Sequence, residues 1–204
     1  VVMTVSRAPS LGSETTNRVL NENRLFEPAP EAVENANITA YMRRKGFTDY
    51  CAFHQWSIDN LEEFWSDMAE GLEWFQRWDE VYRWDPQTPK VEWFIGAKTN
   101  ITVNALDRHK GTPVWNKVAY YWIAEDGETR TLSYADLYRE VNRFASVLQN
   151  MGLQKGDRVI IYLPRIPEQF ITMLACARLG VGHSGVYSGL SAQALRDRAE
   201  HAQA

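Results

Sequence analysis

Across residues 117–204 the spacing of apolar side chains switches between the two-residue period of a strand and the 3.6-residue period of a helix, and this alternation constrains the fold more than any other feature. Val118 to Ala124 is rich in strand-forming types, Glu125-Asp126-Gly127-Glu128 supplies an Asp-Gly turn, and Thr129 to Leu132 returns as the second strand of a hairpin. Ser133, with Asp136 three residues on, is a capping-box-like start. Leu137, Val141, Phe144, Ala145, Leu148 and Met151 then fall on one helical face until Gly152. Gln154-Lys155-Gly156-Asp157 is a turn, Arg158 to Leu163 a short apolar strand, and Pro164 and Pro167 bracket the loop into a helix from Glu168 to Leu179. Val181 to Tyr187 reads as the next strand, and Ser191 opens a last helix from Ala192 to about Ala202. Strand, helix, strand, helix at these spacings is the pattern of a right-handed parallel crossover, so the expected class is α/β, the opening βαβα part of a doubly wound domain. Only two parallel strands are counted, fewer than a sheet buried on both faces needs, so the sheet is expected to be incomplete.

The part before residue 117 is built differently. All eight tryptophans lie between Trp56 and Trp122. Residues 1–23 carry too few large apolar groups to offset the entropy of ordering them and read as a flexible tail. Pro28 and Pro30 set an extended lead-in, and Ala36, Ile38, Ala40 and Tyr41 mark a short helix. Ser57 is expected to cap the next helix, whose face is Leu61, Phe64, Trp65, Met68, Ala69 and Leu72. Trp74, Phe75 and Trp78 carry this block into a connection ending at Asp85-Pro86. An aromatic stripe at such spacing reads as core or interdomain packing in preference to a ligand-stacking platform.

Composition narrows the function classes. The 204 residues are 45% hydrophobic, enough for a buried core, and the net charge of −4 offers no excess positive charge for nucleic acid or an anionic membrane. No apolar run approaches the ~20 residues of a membrane span, and the first residues lack a signal-peptide pattern, so the expected location is cytoplasmic. Cys51 and Cys176 stand in unlike contexts and support neither a disulfide scaffold nor a metal knuckle. His54, His109, His183 and His201 have no metal-site spacing, and His183 reads as a hydrogen-bonded residue of a buried strand. Cys176 reads as a small buried hydrophobe. Gly180, Gly182 and Gly185 fit G-x-G-x-x-G, but they follow a helix and lead into a strand, the reverse of what dinucleotide binding requires. Tyr187-Ser188-Gly189-Leu190-Ser191 lies at the carboxyl end of a parallel strand, where open α/β sheets place ligands. The residues read equally as a ligand loop and as an ordinary strand-to-helix turn.

A family resemblance rests on a longer set of residues. Trp93-Phe94-x-Gly96-x-x-x-Asn100-x-x-x-Asn104-x-Leu106-Asp107-Arg108-His109 resembles the signature ahead of the adenylating domain in acetyl-CoA synthetases and their propionyl-CoA relatives. Glu128 to Tyr134, Lys155-Gly156-Asp157-Arg158-Val159, Met173 to Gly180 and His183-Ser184 resemble the same family in the same order. Ser57 to Val81, with Phe64-Trp65, Leu72, Trp74-Phe75 and Trp78, is similar to its amino-terminal helical cap. The resemblance implies a helical cap over residues 24–92, a connecting segment over 93–116 and the start of an AMP-binding α/β domain over 117–204. It also implies AMP-forming acid:CoA ligase chemistry, in which ATP and Mg serve to adenylate a carboxylate before acyl transfer to coenzyme A. The family's phosphate loop, Mg-holding acid, ribose aspartate and catalytic lysine match stretches beyond Ala204, so the chain alone is expected to be inactive and to have no cofactor. The family's aromatic-Gly-Gly loop near the coenzyme A nucleotide matches Tyr187, Ser188 and Gly189, with Ser188 in place of a glycine. The basic residues for the coenzyme's phosphate also match beyond Ala204, so coenzyme A affinity is expected to be weak. The expected partners are a complementary carboxyl-terminal synthetase chain or a second copy. The alternative function is an interaction module whose unfinished sheet edge and Trp-rich cap dock on another polypeptide.

Overall fold

The computed structural model describes residues 26–204, so the tail expected over 1–23 lies outside the described residues. The described residues divide into two compact units, 26–56 and 57–204. In the first, α1 (Pro30–Glu34) starts with its proline in the first turn, where the missing N–H is no loss. Pro30 thus opens a helix instead of continuing an extended lead-in. The expected short helix is α2 (Asn37–Arg44), which buries Tyr41 and Met42. The next helix, α3 (Tyr50–Asp59), starts where the Ala52 N–H donates to Asp49 Oδ2 at 2.7 Å. Ser57 therefore lies inside a helix and not at its start; the aromatic content of this segment hid the earlier start. Phe53 is the centre of the unit, meeting Tyr41 and Phe47 edge-on at centroid distances of 5.6 and 5.7 Å.

In the second unit α4 (Leu61–Ala69) follows Asn60, whose φ of −120° and ψ of 48° break the helical run. Ala69 is buried, whereas Trp65 and Met68 of the expected apolar face are exposed. The Trp-rich connection is a β-hairpin. β1 (Glu80–Asp85) pairs antiparallel with β2 (Lys90–Ile95), placing Tyr82 opposite Trp93 and Trp84 opposite Val91. Asp85-Pro86 is its turn, held by Asp85 Oδ1 accepting from the Gln87 N–H at 2.9 Å and Asp85 Oδ2 accepting from the Thr88 hydroxyl at 2.6 Å. Cross-strand aromatic pairing explains the tryptophans: Tyr82 and Trp93 rings lie 4.7 Å apart, and Trp74, Trp78 and Phe94 form a triangle with centroids 5.1 to 5.5 Å apart. Gly96 closes the hairpin region at a φ of 82°, and a Cβ there would collide with the Asp79 carboxylate.

α5 (Ile101–Ala105) and two 3₁₀ turns, Asp107–His109 and Pro113–Asn116, lead to the α/β part. β3 (Val118–Ile123) and β4 (Thr129–Ser133) form the expected hairpin. The capping box at Ser133 and Asp136 opens α6 (Tyr134–Asn150). Met151 is the residue after that helix and is 71% exposed, so the buried face ends at Leu148. β5 (Arg158–Tyr162) and β6 (Gly182–Val186) are parallel, joined by α7 (Pro167–Leu179), and α8 (Ala192–Ala202) follows. Pro167 itself starts α7, and Gly180 ends it in the left-handed region at a φ of 71°. The core joins Leu106, Leu137, Val141, Ala145, Leu148, Ala175, Cys176 and Val181, chiefly the facing sides of α6 and α7. Cys176 is fully buried there, as a small hydrophobe. The architecture is mixed α/β, and its parallel sheet holds two strands among the described residues.

Candidate functional site

Parallel strands deliver their carboxyl ends to one edge, and in this chain that edge carries Tyr162 and the loop after Val186. The register sets Tyr162 opposite Val186, so the strand's last side chain stands beside the start of the loop. The Tyr162 hydroxyl lies 2.7 Å from the Ser188 carbonyl oxygen and 3.1 Å from that of Leu190. The Leu190 N–H donates to the Tyr187 carbonyl at 3.0 Å, closing a turn, and Ser191 Oγ caps α8 by accepting from the Ala194 N–H at 3.3 Å. Tyr187 is 66% exposed, and its ring lies across Gly189: a Cβ at 189 would come within 2.7 Å of Tyr187 Cε1. The three loop residues named from the sequence, Tyr187, Ser188 and Gly189, are thus neighbours in one turn. Tyr162 was not among them. Its signal in the sequence is an aromatic with a polar tip closing an otherwise apolar strand.

The residues of the signature before the α/β part form a bracket of hydrogen bonds. Asn100 Oδ1 caps α5 by accepting from the Thr102 N–H at 2.9 Å and the Thr102 hydroxyl at 2.7 Å. Its Nδ2 donates to the carbonyls of Ala177 and Arg178 at 3.1 and 3.2 Å, at the end of α7. Asn104 accepts from the Glu73 N–H at 2.7 Å and donates to the Glu73 carbonyl at 3.0 Å, pairing with that backbone as a strand would. Arg108 donates to the Gly71 carbonyl at 2.9 Å. Asp107 receives both terminal nitrogens of Arg178 at 2.6 and 3.0 Å, and the guanidinium lies 5.4 Å from the Tyr138 ring centroid. His109 meets the Tyr134 ring edge-on at 5.1 Å. These side chains hold segments together, and that is the chemistry they perform here.

A groove of about 1020 Å³ opens between β4, α6 and α7, lined by Leu132, Phe144, Val147, Leu163, Pro167 and Ile171. Its rim charges are internally matched: Arg143 pairs with Glu140 at 3.0 Å, and Arg130 pairs with Glu128 at 3.2 Å and with Glu168 at 3.5 Å. Burial, and then the Glu168 carboxylate, push the Tyr120 phenol upward in pKa. Burial does the same to the Cys176 thiol, which keeps it protonated and unreactive. His183 is exposed on β6, which corrects the buried position expected for it; a two-stranded sheet leaves that face open. Gly180 ends α7 while Gly182 and Gly185 lie within β6, so these glycines do not form a strand-to-helix turn. Among the described residues no group of three His, Cys, Asp or Glu side chains stands together as a metal site, and no helix is long and apolar enough to cross a membrane.

Comparison with known proteins gives two adjoining matches. Residues 50–105 match the family described as acetyl-coenzyme A synthetase N-terminus, and residues 106–204 match the AMP-binding enzyme family. The acetyl-coenzyme A synthetase of Methanothrix thermoacetophila is 43% identical over 185 residues, covering 90% of this chain and 28% of that protein. Those of Methanothrix soehngenii and Deinococcus radiodurans are 44% and 42% identical, over 89% and 91% of this chain and 28% and 27% of theirs. The acetoacetyl-CoA synthetase from Streptomyces lividans superposes with a TM-score of 0.77 at 28% identity, over 86% of this chain and 28% of that one. The chain spans little more than a quarter of the length of the curated relatives it matches. With the N-terminus match and the AMP-binding match contiguous and in order, the chain belongs to the acetyl-coenzyme A synthetase family, whose amino-terminal portion it represents.

Proposed function

We propose that this chain serves as the amino-terminal part of an AMP-forming acetate:CoA ligase and has no ligase activity alone. The observation that carries the reading is the continuous match of residues 50–204 to the cap and AMP-binding segments of one enzyme family. In this reading residues 24–92 are the cap segment, 93–116 the connection and 117–204 the start of the adenylating domain, and the chain works in the cytoplasm with both cysteines reduced. No step of the ATP and Mg chemistry of the family is assigned to these residues. Coenzyme A is the one ligand for which the residues present offer a fit: Tyr187 exposes a ring beside Ser188 and Gly189 at a strand's carboxyl end, suited to stacking a base. Its affinity for this chain alone is weak. Purified chain incubated with ATP, Mg, acetate and coenzyme A should give no acetyl-CoA, and steady product formation would overturn the reading.

The apolar groove beside α6 and α7 supports a second reading, association with a complementary carboxyl-terminal synthetase chain or with a second copy. Light scattering after size exclusion separates the two outcomes: an oligomer of the chain alone supports self-association, and activity restored by a complementary chain supports a split enzyme. A stable monomer that gains no activity on mixing would refute this second reading.

A further inference from the structure

The loop at the carboxyl edge has a definite handedness of donors and acceptors, and one side chain sets it. The Ser188 and Leu190 carbonyl oxygens both lie within hydrogen-bonding distance of the Tyr162 hydroxyl, at 2.7 and 3.1 Å, and so point to the same side of the loop. In a planar trans peptide unit the C=O and the following N–H point in opposite directions. The described residues contain no cis peptide, so the N–H groups of Gly189 and Ser191 are turned away from Tyr162. Both residues are exposed.

We infer that Tyr162 is the positioning residue of the Tyr187–Ser191 loop: by holding the Ser188 and Leu190 carbonyls toward β5, it turns the Gly189 and Ser191 N–H donors outward to meet an anionic nucleotide. The inference rests on the reading of this loop as a coenzyme A contact and assigns a role to a residue that does not itself touch the ligand. The hydroxyl can donate its proton to one carbonyl at a time, so the pair of short distances describes one donor shared between two acceptors. Without it, both carbonyls are released to solvent and the turn is left with its Leu190 to Tyr187 bond.

The test uses the full chain as wild type, Tyr162→Phe and Tyr121→Phe, the last removing a hydroxyl from an exposed tyrosine of β3 as a control. Amide hydrogen exchange at Leu190 and along β5 and β6 is followed by NMR, and coenzyme A is titrated into each protein. Tyr162→Phe should speed Leu190 exchange by roughly fivefold, the factor carried by a hydrogen bond of ordinary net strength. It should weaken coenzyme A binding by a similar factor and leave the strand amides unchanged, while Tyr121→Phe matches wild type throughout. Unchanged Leu190 exchange overturns the inference, as does faster exchange with equal affinity. A loss of protection spread over β5 and β6 also overturns it, because the hydroxyl then serves the sheet as a whole. If wild type shows no coenzyme A binding, the reading of the loop as a coenzyme contact fails, and the exchange result alone decides whether Tyr162 sets its conformation.

Discussion

Replacing Asn100 by alanine removes the side chain that joins the start of α5 to the end of α7, and the structure allows the loss to be worked out bond by bond. The N-cap bond to the Thr102 N–H accounts for about 1 kcal/mol. The two bonds to the Ala177 and Arg178 carbonyls share one amide group and together contribute about 1 kcal/mol. The Thr102 hydroxyl, on a residue only 1% exposed, loses its acceptor, at a cost of about 1 kcal/mol or slightly more. The sum is about 3 kcal/mol, a large fraction of the ~5–15 kcal/mol that holds a typical domain folded. With a urea slope of about 2 kcal/mol/M, the unfolding midpoint followed by tryptophan fluorescence should fall by about 1.5 M. The double variant Asn100→Ala with Thr102→Val should recover about 1 kcal/mol, since no hydroxyl is then left buried without a partner. A midpoint shift below about 0.5 M, or strictly additive effects in the double variant, would refute the bond accounting.

Three further outcomes follow from local geometry. Gly96→Ala should destabilise by about 2 kcal/mol in the same urea assay, through its left-handed backbone and the Asp79 carboxylate against the new methyl, and a neutral result would mean that the hairpin closes differently. The Ser133 hydroxyl and N–H, with Arg139 adding a smaller share, hold the Asp136 carboxyl below its usual pKa. Stability from this cap is thus complete above the unfolded pKa of about 3.9 and lost as pH falls through the lower folded value; Asp136→Asn should flatten that acid limb in thermal melts, and an unchanged limb would count against the cap. A thiol reagent should modify Cys51 alone in the folded chain and both cysteines in denaturant, and rapid native labelling of Cys176 would contradict its burial in the α6–α7 core.

The α/β part was legible because its ends carry chemical marks. Ser133 and Asp136, Asp126-Gly127, Pro167 and Gly180 each fix a boundary by a local mechanism that needs no knowledge of the rest of the chain. The Trp-rich part was misread where its order is non-local. A period-2 pattern is present in Tyr82 and Trp84 and in Val91 and Trp93, but one strand's apolar face becomes meaningful only opposite the other's. In sequence Asp85-Pro86 reads as an end although it is a turn, since a helical reading of the preceding aromatics leaves no partner strand to receive it. At the candidate site the loop could be located from its place after a strand. The contribution of Tyr162 could not, because it depends on a parallel register between partner residues 24 positions apart in the chain.

Three side chains of the bracket around α5 reach main-chain groups of other segments. Asn100 binds the carbonyls of Ala177 and Arg178, Asn104 the N–H and carbonyl of Glu73, and Arg108 the carbonyl of Gly71. Every residue type offers a carbonyl, so these contacts impose little on which amino acids occupy positions 71, 73 and 177, while the reach and donor geometry required at 100, 104 and 108 admit few substitutes. A library of all single substitutions, sorted for folded protein, should therefore show a one-sided pattern: broad acceptance at the positions that are held and narrow acceptance at the positions that hold them.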